Sequence, residues 1–467
     1  MNKVFSSPEE AVRDIKDGSS VIIGGPGTPT ASPTSLIWAL RDKGSKNLMI
    51  ICNTVGFSPY AAIVLVENKQ VNRLRAAFGG IARLPTATEE QIKAGLIDFE
   101  LIPQGTLCER LRAGAAGIAG IYTPTGVGTV VEKGKEKKTF GDKEYLLETA
   151  LTADYAFIPA HKADTMGNVV FRRSGHNFNP VFVTAAKTSI VEAEEVVEAG
   201  ELEPDSIDVS GIYVDRVVKS TFDRHKAKDE WRPMLARALM LGAPIERGDK
   251  TGLSRELIAL RASKELKPGD WVNLGIGIPT VVSLFLPEGV NLHAEIGILA
   301  NGPPPKPEDD VDIDTWGASA EWLTVKPGTS FCSNLEAFAM ARGGRVNTVI
   351  LGAFQVSEKG DLANVWSPEM GAPGVGGAMD LVAGKARVII LMEHTTKDNK
   401  PRVLKECSYP LTGVRCVSLI ITDLAVMEVT PQGLVLKETA PGWTAEEIQA
   451  LTEPELLISP DLKEMEL

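Results

Sequence analysis

Residues 255–279 read RELIALRASKELKPGDWVNLGIGIP, and they repeat the order of residues 9–29, which read EEAVRDIKDGSSVIIGGPGTP. Each stretch predicts a helix, a turn, a short apolar strand and a glycine turn. In both copies a further helix and strand follow, and that second strand ends at Asn53 in the first copy and at Glu295 in the second. Two similar α/β domains are the simplest explanation of this repeat.

Short β-branched runs bounded by glycine or proline recur along the chain. Because they are continuously apolar and alternate with helical stretches, they are typical of buried, mostly parallel strands. The sequence therefore predicts two similar open α/β domains, each with a mostly parallel sheet flanked by helices. The runs occupy residues 20–25, 47–52, 271–277, 348–354 and 387–394.

Residues 219–250 are unlike the strands on either side of them. They are charged and are interrupted by Pro233 and Pro244, as linkers between domains commonly are. We predict a first domain over residues 1–218, a linker with a helix over 219–250, and a second domain over 251–467.

The composition disfavours several classes of partner. The 467-residue chain carries a formal net charge of −12, whereas nucleic acids and anionic membranes attract basic proteins. No apolar run is long enough to cross a membrane, and the N-terminus resembles neither a signal peptide nor a transit peptide. The five scattered cysteines form no CxxC pair, which is typical of reduced thiols. We therefore expect a cytoplasmic protein that binds neither nucleic acid nor membrane.

The stretch VNLHAEIGILANGP (290–303) places Glu295 inside an apolar run. Strand alternation puts Asn291, His293 and Glu295 on one face, so a strand with a solvated polar face explains the pattern. A metal pair of His293 and Glu295 is chemically conceivable, but no third ligand is suggested nearby. A catalytic carboxylate is the third explanation, because ligands of open α/β sheets bind beyond the carboxyl ends of strands. The residues alone leave all three open.

Glycine-rich turns follow several predicted strands, but none matches a nucleotide-binding fingerprint. The chain also has no HExxH zinc motif and no GxSxG serine elbow. Most glycine turns are structural. The alternative is that the consecutive amides of Gly374–Gly377 surround a negatively charged oxygen. The turns lie at residues 24–29, 123–129, 273–279 and 371–380.

Seven longer strings are more specific than these turns. They are LIPQGTLCERLRAGAAGIAGIYTPTGVGT (101–129), HKADTMGNVVF (161–171), NLGIGIPT (273–280), FAMARGGRVN (338–347), VSEKGDLANVW (356–366), GVGGAMDLV (374–382) and ECSYPLTG (406–413). Together and in this order they resemble the family I coenzyme A transferases, in particular the 3-oxoacid CoA-transferases whose α and β parts are fused. The resemblance covers nearly the whole chain.

The resemblance implies a ping-pong transfer of CoA between an acyl-CoA donor and a carboxylic acid acceptor, a 3-oxoacid or another short acid. Glu295 matches the family's nucleophile, which attacks the thioester and forms a glutamyl-CoA thioester by way of a mixed anhydride. CoA is then a substrate and part of a covalent intermediate, and neither a tightly bound cofactor nor a metal is implied. The family also suggests a homodimer or a homotetramer.

The resemblance assigns further residues to an active site in the cleft between the halves. The Gln104 amide and the backbone N–H of Gly377 would donate to the oxyanion of the tetrahedral intermediate. Asn53 and Asn273 would make polar contacts to the substrate or to the nucleophile. The glycines implied in binding substrate or CoA are Gly25, Gly27, Gly374 and Gly376.

The sequence departs from the family pattern in several places. The motif Ser-Glu-Asn-Gly is Ala-Glu-Ile-Gly at residues 294–297, and Ala320 stands where a lysine is usual. The glycine turn at 24–30 and the stretch 79–91 also differ. With Ile296 near the acyl pocket, these changes predict an acid substrate other than acetoacetate, less polar or bulkier. An acyl-CoA hydrolase on the same scaffold and an inactive CoA-binding protein remain as alternatives.

Overall fold

Two large β-sheets, one in each half of the chain, organise the structure. It is a computed structural model that describes residues 2–28, 31–80, 86–228, 246–247, 250–306, 309–317, 321–367, 370 and 372–467. Most of the predicted linker, 219–250, lies outside the described residues, so the predicted domain boundaries stay a prediction.

The first half contains an eight-stranded sheet and a small antiparallel one. Its strands are β1 Ser20–Ile23, β2 Leu48–Cys52, β3 Val71–Ala76, β4 Asp98–Leu101, β5 Gly120–Thr123, β6 Lys137–Phe140, β7 Lys143–Thr149, β8 Ala153–Asp164, β9 Val169–Val170, β10 Ala186–Val197 and β11 Arg216–Lys219. The large sheet has the order β11-β10-β8-β1-β2-β3-β4 with all neighbours parallel, and β9 pairs antiparallel with β8. The small sheet has the order β5-β7-β6.

The second half contains a ten-stranded sheet with a parallel centre. Its strands are β12 Glu246–Arg247, β13 Lys250–Thr251, β14 Trp271–Leu274, β15 Asn291–Ala294, β16 Ile298–Leu299, β17 Ser330–Phe331, β18 Thr348–Gly352, β19 Gln355–Ser357, β20 Leu362–Ala363, β21 Arg387–Met392, β22 Val403–Leu404, β23 Val417–Thr422, β24 Ala425–Thr430, β25 Gly433–Thr439 and β26 Leu456–Glu464. The order is β17-β16-β15-β14-β18-β21-β23-β24-β25-β26. Within this order the neighbours in the run β15-β14-β18-β21-β23 are parallel. The remaining strands form the small sheets β20-β19-β22 and β12-β13.

Short helices connect these strands, and several begin at a serine or threonine that caps the first turn. The Ser254 hydroxyl, for example, accepts from the N–H of Leu257, which satisfies one of the free amides at a helix start. The helix predicted near the start of the chain is shorter than expected, because the backbone enters consecutive turns after Val12. The helices are α1 Pro8–Ala11, α2 Thr34–Lys43, α3 Ile63–Glu67, α4 Ala87–Lys93, α5 Gln104–Ala115, α6 Asn179–Phe182, α7 Arg255–Ser263, α8 Ile278–Val281, α9 Asn334–Arg342, α10 Ala378–Val382 and α11 Ala445–Ala450.

Both faces of each large sheet are buried, which explains why the strands are continuously apolar. In the first sheet, Ile22 and Ile51 face one apolar cluster, and Val21 and Ile50 face the other. The second sheet likewise separates two clusters. The predicted fold class, two similar α/β units with mostly parallel sheets, is confirmed.

The two halves also share a core. Ile296 of the second half is only 6% exposed and packs in the same apolar cluster as Ile102 and Leu107 of the first half. The backbones meet as well, since the N–H of Gly79 donates to the carbonyl of Pro373 at 2.9 Å. Apolar packing at Ile296 and backbone pairing at Pro373 therefore hold the two halves together.

Replacing Ile296 by alanine should lower the free energy of unfolding by about 2–5 kcal/mol, the usual cost of truncating a buried isoleucine. The matched control is Ile212→Ala, because Ile212 is 84% exposed and its truncation should cost less than about 0.5 kcal/mol. Urea denaturation followed by fluorescence measures both. Equal stability of the two variants would contradict the shared core.

Candidate active site

A tight turn at the end of β15 presents Glu295. The N–H of Gly297 donates to the carbonyl of Ala294 at 2.9 Å, and Gly297 has a φ of +99°. A Cβ at Gly297 would lie 1.9 Å from the carbonyl oxygen of Cys332, so only glycine fits this turn. The turn fixes the backbone on which the glutamate side chain stands.

Two asparagines hold Glu295 in place. Asn273 of β14 donates from Nδ2 to Oε2 of Glu295 at 3.0 Å, and Asn334 of α9 donates to the Glu295 carbonyl oxygen at 2.7 Å. The glutamate side chain is half-buried. Burial raises the pKa of its carboxyl group, and the hydrogen bond from Asn273 opposes that rise. The carboxylate is therefore fixed in orientation and only partly hydrated.

His293 lies beside Asn273. Its ring nitrogens lie 3.1 Å from Nδ2 of Asn273 and 3.0 Å from the carbonyl oxygen of Ala337. Both nitrogens thus have protein partners. Over the described part of the chain, no group of three His, Cys, Asp or Glu side chains is arranged to hold a metal ion.

A second polar group forms where α5 begins. Gln104 donates from Nε2 to Oδ1 of Asn53 at 2.8 Å, and Asn53 donates from Nδ2 to the carbonyl of Pro26 at 2.8 Å. The backbone N–H of Gln104 donates to the carbonyl of Gly376 at 3.0 Å. The structure thus places Asn53 and Gln104 of the first half in one network with the glycine turn of the second.

Gly377 lies against Gln104 because it has no side chain. A Cβ at Gly377 would be 3.1 Å from Oε1 of Gln104 and 2.7 Å from the Phe338 ring. Within the described residues the N–H of Gly377 meets no hydrogen-bond acceptor. A free backbone N–H is suited to bind an oxygen that carries negative charge.

The other glycines expected at the site shape the backbone around it. Gly25 and Gly27 have φ values of +83° and +87° and form the turn after β1. Gly374 and Gly376 pack against the ring of Phe78, where a Cβ would lie 2.7 Å and 2.9 Å from ring carbons. Direct contact of these four glycines with substrate or CoA stays a prediction.

A buried carboxylate joins the two halves beside Gln104. Asp380 of α10 is fully buried and accepts from the N–H of Gly105 at 2.8 Å and from the Thr125 hydroxyl at 3.0 Å. The Arg342 guanidinium of α9 donates to the same carboxylate at 3.2 Å. Burial raises the pKa of Asp380, and the Arg342 charge and the donated hydrogen bonds oppose that rise.

The Asp380 carboxylate determines how close Gln104 lies to Gly377. Gly105 directly follows Gln104, and Asp380 lies on the short helix that begins just after Gly377. The Asp380–Gly105 hydrogen bond therefore ties the start of α5 to the start of α10. A shift of either helix would separate the two groups.

Ile296 brings the Glu295 turn and the Gln104 group into the same region. It packs in one apolar cluster with Ile102 and Leu107, which flank Gln104 in sequence. No hydrogen bond within the described residues joins the Glu295 side chain to Gln104. The turn directs the Ile296 side chain into the shared core, and its expected place near the acyl pocket stays a prediction.

Sequence reasoning missed three residues of this region: Asp380, Arg342 and Asn334. Asp380 had one local signal, a single carboxylate in the apolar run GAMDLV. Arg342 and Asn334 had no local signal in the sequence, since their partners are distant along the chain. The sequence pattern places His293 only on a polar strand face or in a metal pair with Glu295.

The comparison with known families decides the class of the protein. The family described as coenzyme A transferase matches residues 5–220 and 255–451. The chain belongs to the coenzyme A transferase family. This CoA-transferase is 40% identical over 486 residues to human succinyl-CoA:3-ketoacid coenzyme A transferase 2, with 99% of this chain and 92% of the relative covered. It is also 48% identical over 218 residues to one subunit of a probable succinyl-CoA:3-ketoacid coenzyme A transferase from Bacillus subtilis, with 47% of this chain and 90% of that subunit covered.

A solved structure shares the fold of this CoA-transferase. An acyl-CoA transferase from Escherichia coli O157:H7, solved as a thioester complex with CoA, superposes with a TM-score of 0.79 at 23% identity. The match covers 100% of this chain and 95% of the other. At this identity the likeness establishes the fold, and it extends across both halves.

The predicted cytoplasmic location of the CoA-transferase is wrong. The human and mouse relatives, matched over 99% of this chain, are named as mitochondrial. A negative net charge and cysteines without a CxxC pair do not by themselves identify one intracellular compartment. In the described residues, no helix combines the length and the apolar character needed to cross a membrane.

Asp380→Asn should lower the free energy of unfolding by about 3 kcal/mol, because the largely buried Arg342 loses one of its two charged partners and keeps only Glu109. The turnover number should fall as well, since Gln104 and Gly377 would no longer be tied together. Denaturation and a CoA-transfer assay measure the two effects. Asp205→Asn on the exposed surface is the matched control, and an Asp380 variant that behaves like it would refute the role of the buried carboxylate.

Proposed function

We propose that this protein transfers CoA from an acyl-CoA to a carboxylic acid, with a 3-oxoacid as one of the two acids and Glu295 as the nucleophile. The environment of Glu295 carries the proposal. Its half-buried carboxylate is held by Asn273 at 3.0 Å, and burial raises its pKa. A carboxylate that has lost part of its hydration and is held in one orientation is a better nucleophile than one in water.

The reaction proceeds in four substitutions that need neither water nor a cofactor. The Glu295 carboxylate attacks the thioester carbonyl carbon, the C–S bond breaks, and a mixed anhydride forms as CoA thiolate leaves. The thiolate attacks the glutamyl carbonyl, which releases the donor acid and forms the glutamyl-CoA thioester. The acceptor carboxylate then displaces the thiolate and forms a second anhydride. Attack of the thiolate on the acceptor carbonyl gives the new acyl-CoA and restores Glu295.

The group around Gln104 would stabilise the negative charge that develops in these steps. Gln104 uses one of its two amide hydrogens for Asn53, which leaves the other for a substrate oxygen. The N–H of Gly377 is adjacent and free within the described residues. A single donor of this kind typically contributes about 3 kcal/mol to the stabilisation of the transition state.

The choice of acid rests on the relatives. The human and mouse relatives are named as succinyl-CoA:3-ketoacid coenzyme A transferases. One subunit of a 3-oxoadipate CoA-transferase from Pseudomonas putida is 45% identical over 202 residues, with 43% of this chain and 94% of that subunit covered. A less polar or bulkier acid than acetoacetate stays a prediction. Ile296 is buried in the shared core, and Ala320 lies outside the described residues.

Intact-mass analysis with succinyl-CoA in the absence of an acceptor tests the covalent step. We expect an adduct of the mass of CoA on the peptide that contains Glu295, and its loss in Glu295→Gln. The same change at the exposed Glu288 is the control and should leave the adduct intact. Activity that survives in Glu295→Gln would exclude the proposed nucleophile. Steady release of free CoA without an acceptor would favour the hydrolase.

The pH dependence follows from the pKa of Glu295. Because burial raises this pKa and only the ionised carboxylate attacks, kcat/KM should fall on the acid side with an apparent pKa above 4.5, the ordinary value of the group. Asn273→Ala removes a hydrogen bond that lowers the pKa, so its acid limb should move to higher pH. The measurement is kcat/KM as a function of pH for the original enzyme and for Asn273→Ala, with the same acyl-CoA. An acid limb that does not move would show that Asn273 does not interact with the ionised nucleophile.

A further inference from the structure

We infer that His293 is a positioning residue that orients the Asn273 amide toward Glu295. The inference starts from two contacts of its ring, which is 3% exposed. Nε2 lies 3.0 Å from the carbonyl oxygen of Ala337, and Nδ1 lies 3.1 Å from Nδ2 of Asn273.

These two contacts select one form of the imidazole. A carbonyl oxygen only accepts, so Nε2 must carry the hydrogen that it donates to Ala337. Nδ1 is then left with a lone pair, and it faces the amide hydrogens of Asn273. A hydrogen on Nδ1 would instead point at the NH₂ group of Asn273. The other neutral tautomer and the protonated ring both carry this hydrogen, so each would place two donors against each other. The ring is thus held as a neutral acceptor, and burial, which lowers the pKa of His293, acts in the same direction.

Nδ1 of His293 is one of three acceptors that orient the Asn273 amide, whose two N–H hydrogens are shared among them. Its Nδ2 lies within 3.1 Å of three acceptors, which are Nδ1 and the carbonyl oxygen of His293 and Oε2 of Glu295. Its buried Oδ1 has no hydrogen-bond partner among the described residues. Rotation of the amide by half a turn would place Oδ1 against three acceptors, so the observed orientation depends on them.

The contribution of His293 becomes largest during the reaction, and this step rests on the proposed function of Glu295. Once the carboxylate has become an anhydride or a thioester, its oxygen is uncharged and accepts hydrogen bonds less strongly. Two of the three acceptors that then hold the Asn273 amide belong to His293. The amide N–H therefore keeps pointing at the glutamyl oxygen while the glutamyl carbon is attacked.

The test compares His293→Phe with His293→Asn. Phenylalanine keeps a ring but offers no acceptor. The amide oxygen of asparagine is as many bonds from Cβ as Nδ1 is, so it can accept from Asn273, while the hydrogen bond to Ala337 is lost. We expect kcat to fall about tenfold in His293→Phe, the usual effect of losing one hydrogen bond, with the KM for acyl-CoA unchanged within about twofold. In His293→Asn, kcat should recover to within about threefold of the original enzyme.

His394→Phe is the matched control for the loss of a buried histidine. His394 is fully buried, and its ring nitrogens contact the hydroxyls of Thr422 and Thr452 in the second half. Its substitution should lower stability while leaving kcat per folded molecule unchanged.

Two outcomes would overturn the inference: an unchanged kcat in His293→Phe, or a kcat in His293→Asn as low as in His293→Phe. The second would mean that the hydrogen bond to Ala337, a structural contact, is the one that matters. Failure of the proposed function looks different, since the unmodified enzyme would then form no CoA adduct. Circular dichroism and the adduct yield of each variant separate misfolding from slow turnover.

Discussion

The buried carboxylate of Asp380 is the contact on which the site depends. It is the point where α5 of the first half, α10 of the second and the Arg342 charge of α9 meet. An unpaired charge in this position would be costly, so the carboxylate requires all of its donors at once. The Asp380–Gly105 contact joins residues separated by 275 positions in sequence. Through it, the position of Gln104 is determined by the second half of the chain.

The proposed nucleophile, Glu295, is held by a separate set of constraints. A glycine turn against the Cys332 carbonyl fixes the backbone, and two asparagines fix the side chain and the carbonyl of Glu295. Ile296 then packs this turn into the core of the first half. The two sets of contacts meet across that core. It therefore fixes the position of Glu295 relative to Gln104 and Gly377, the proposed oxyanion donors, without a direct hydrogen bond from the Glu295 side chain to them. Rigid support of this kind is what a covalent mechanism needs, because a small displacement of a reacting group costs much of the rate.

The fold was largely predictable from the sequence, and the site only in part. Apolar runs and glycine turns are local patterns, so the strands around Val21 and Val272 and the repeat that they belong to could be recognised. The position of Glu295 at a strand end followed from the same pattern. The length of the first helix could not be predicted, because turns after Val12 end it. The side on which Ile296 lies could not be predicted either, since a turn breaks the strand alternation just before it. The partners of Asp380 and Arg342 are distant in sequence, and no local pattern reveals them.

The central claim is that the Glu295 carboxylate exchanges an oxygen with its substrate at every turnover. In the proposed sequence the acceptor acid attacks through one of its oxygens, and that oxygen stays on Glu295 when the thiolate removes the acyl group. The direct measurement uses an acceptor acid whose carboxylate carries heavy oxygen, followed by mass analysis of the peptide that contains Glu295. The account predicts that heavy oxygen appears in this side chain after turnover with succinyl-CoA. Continued CoA transfer without any label in Glu295 would contradict it.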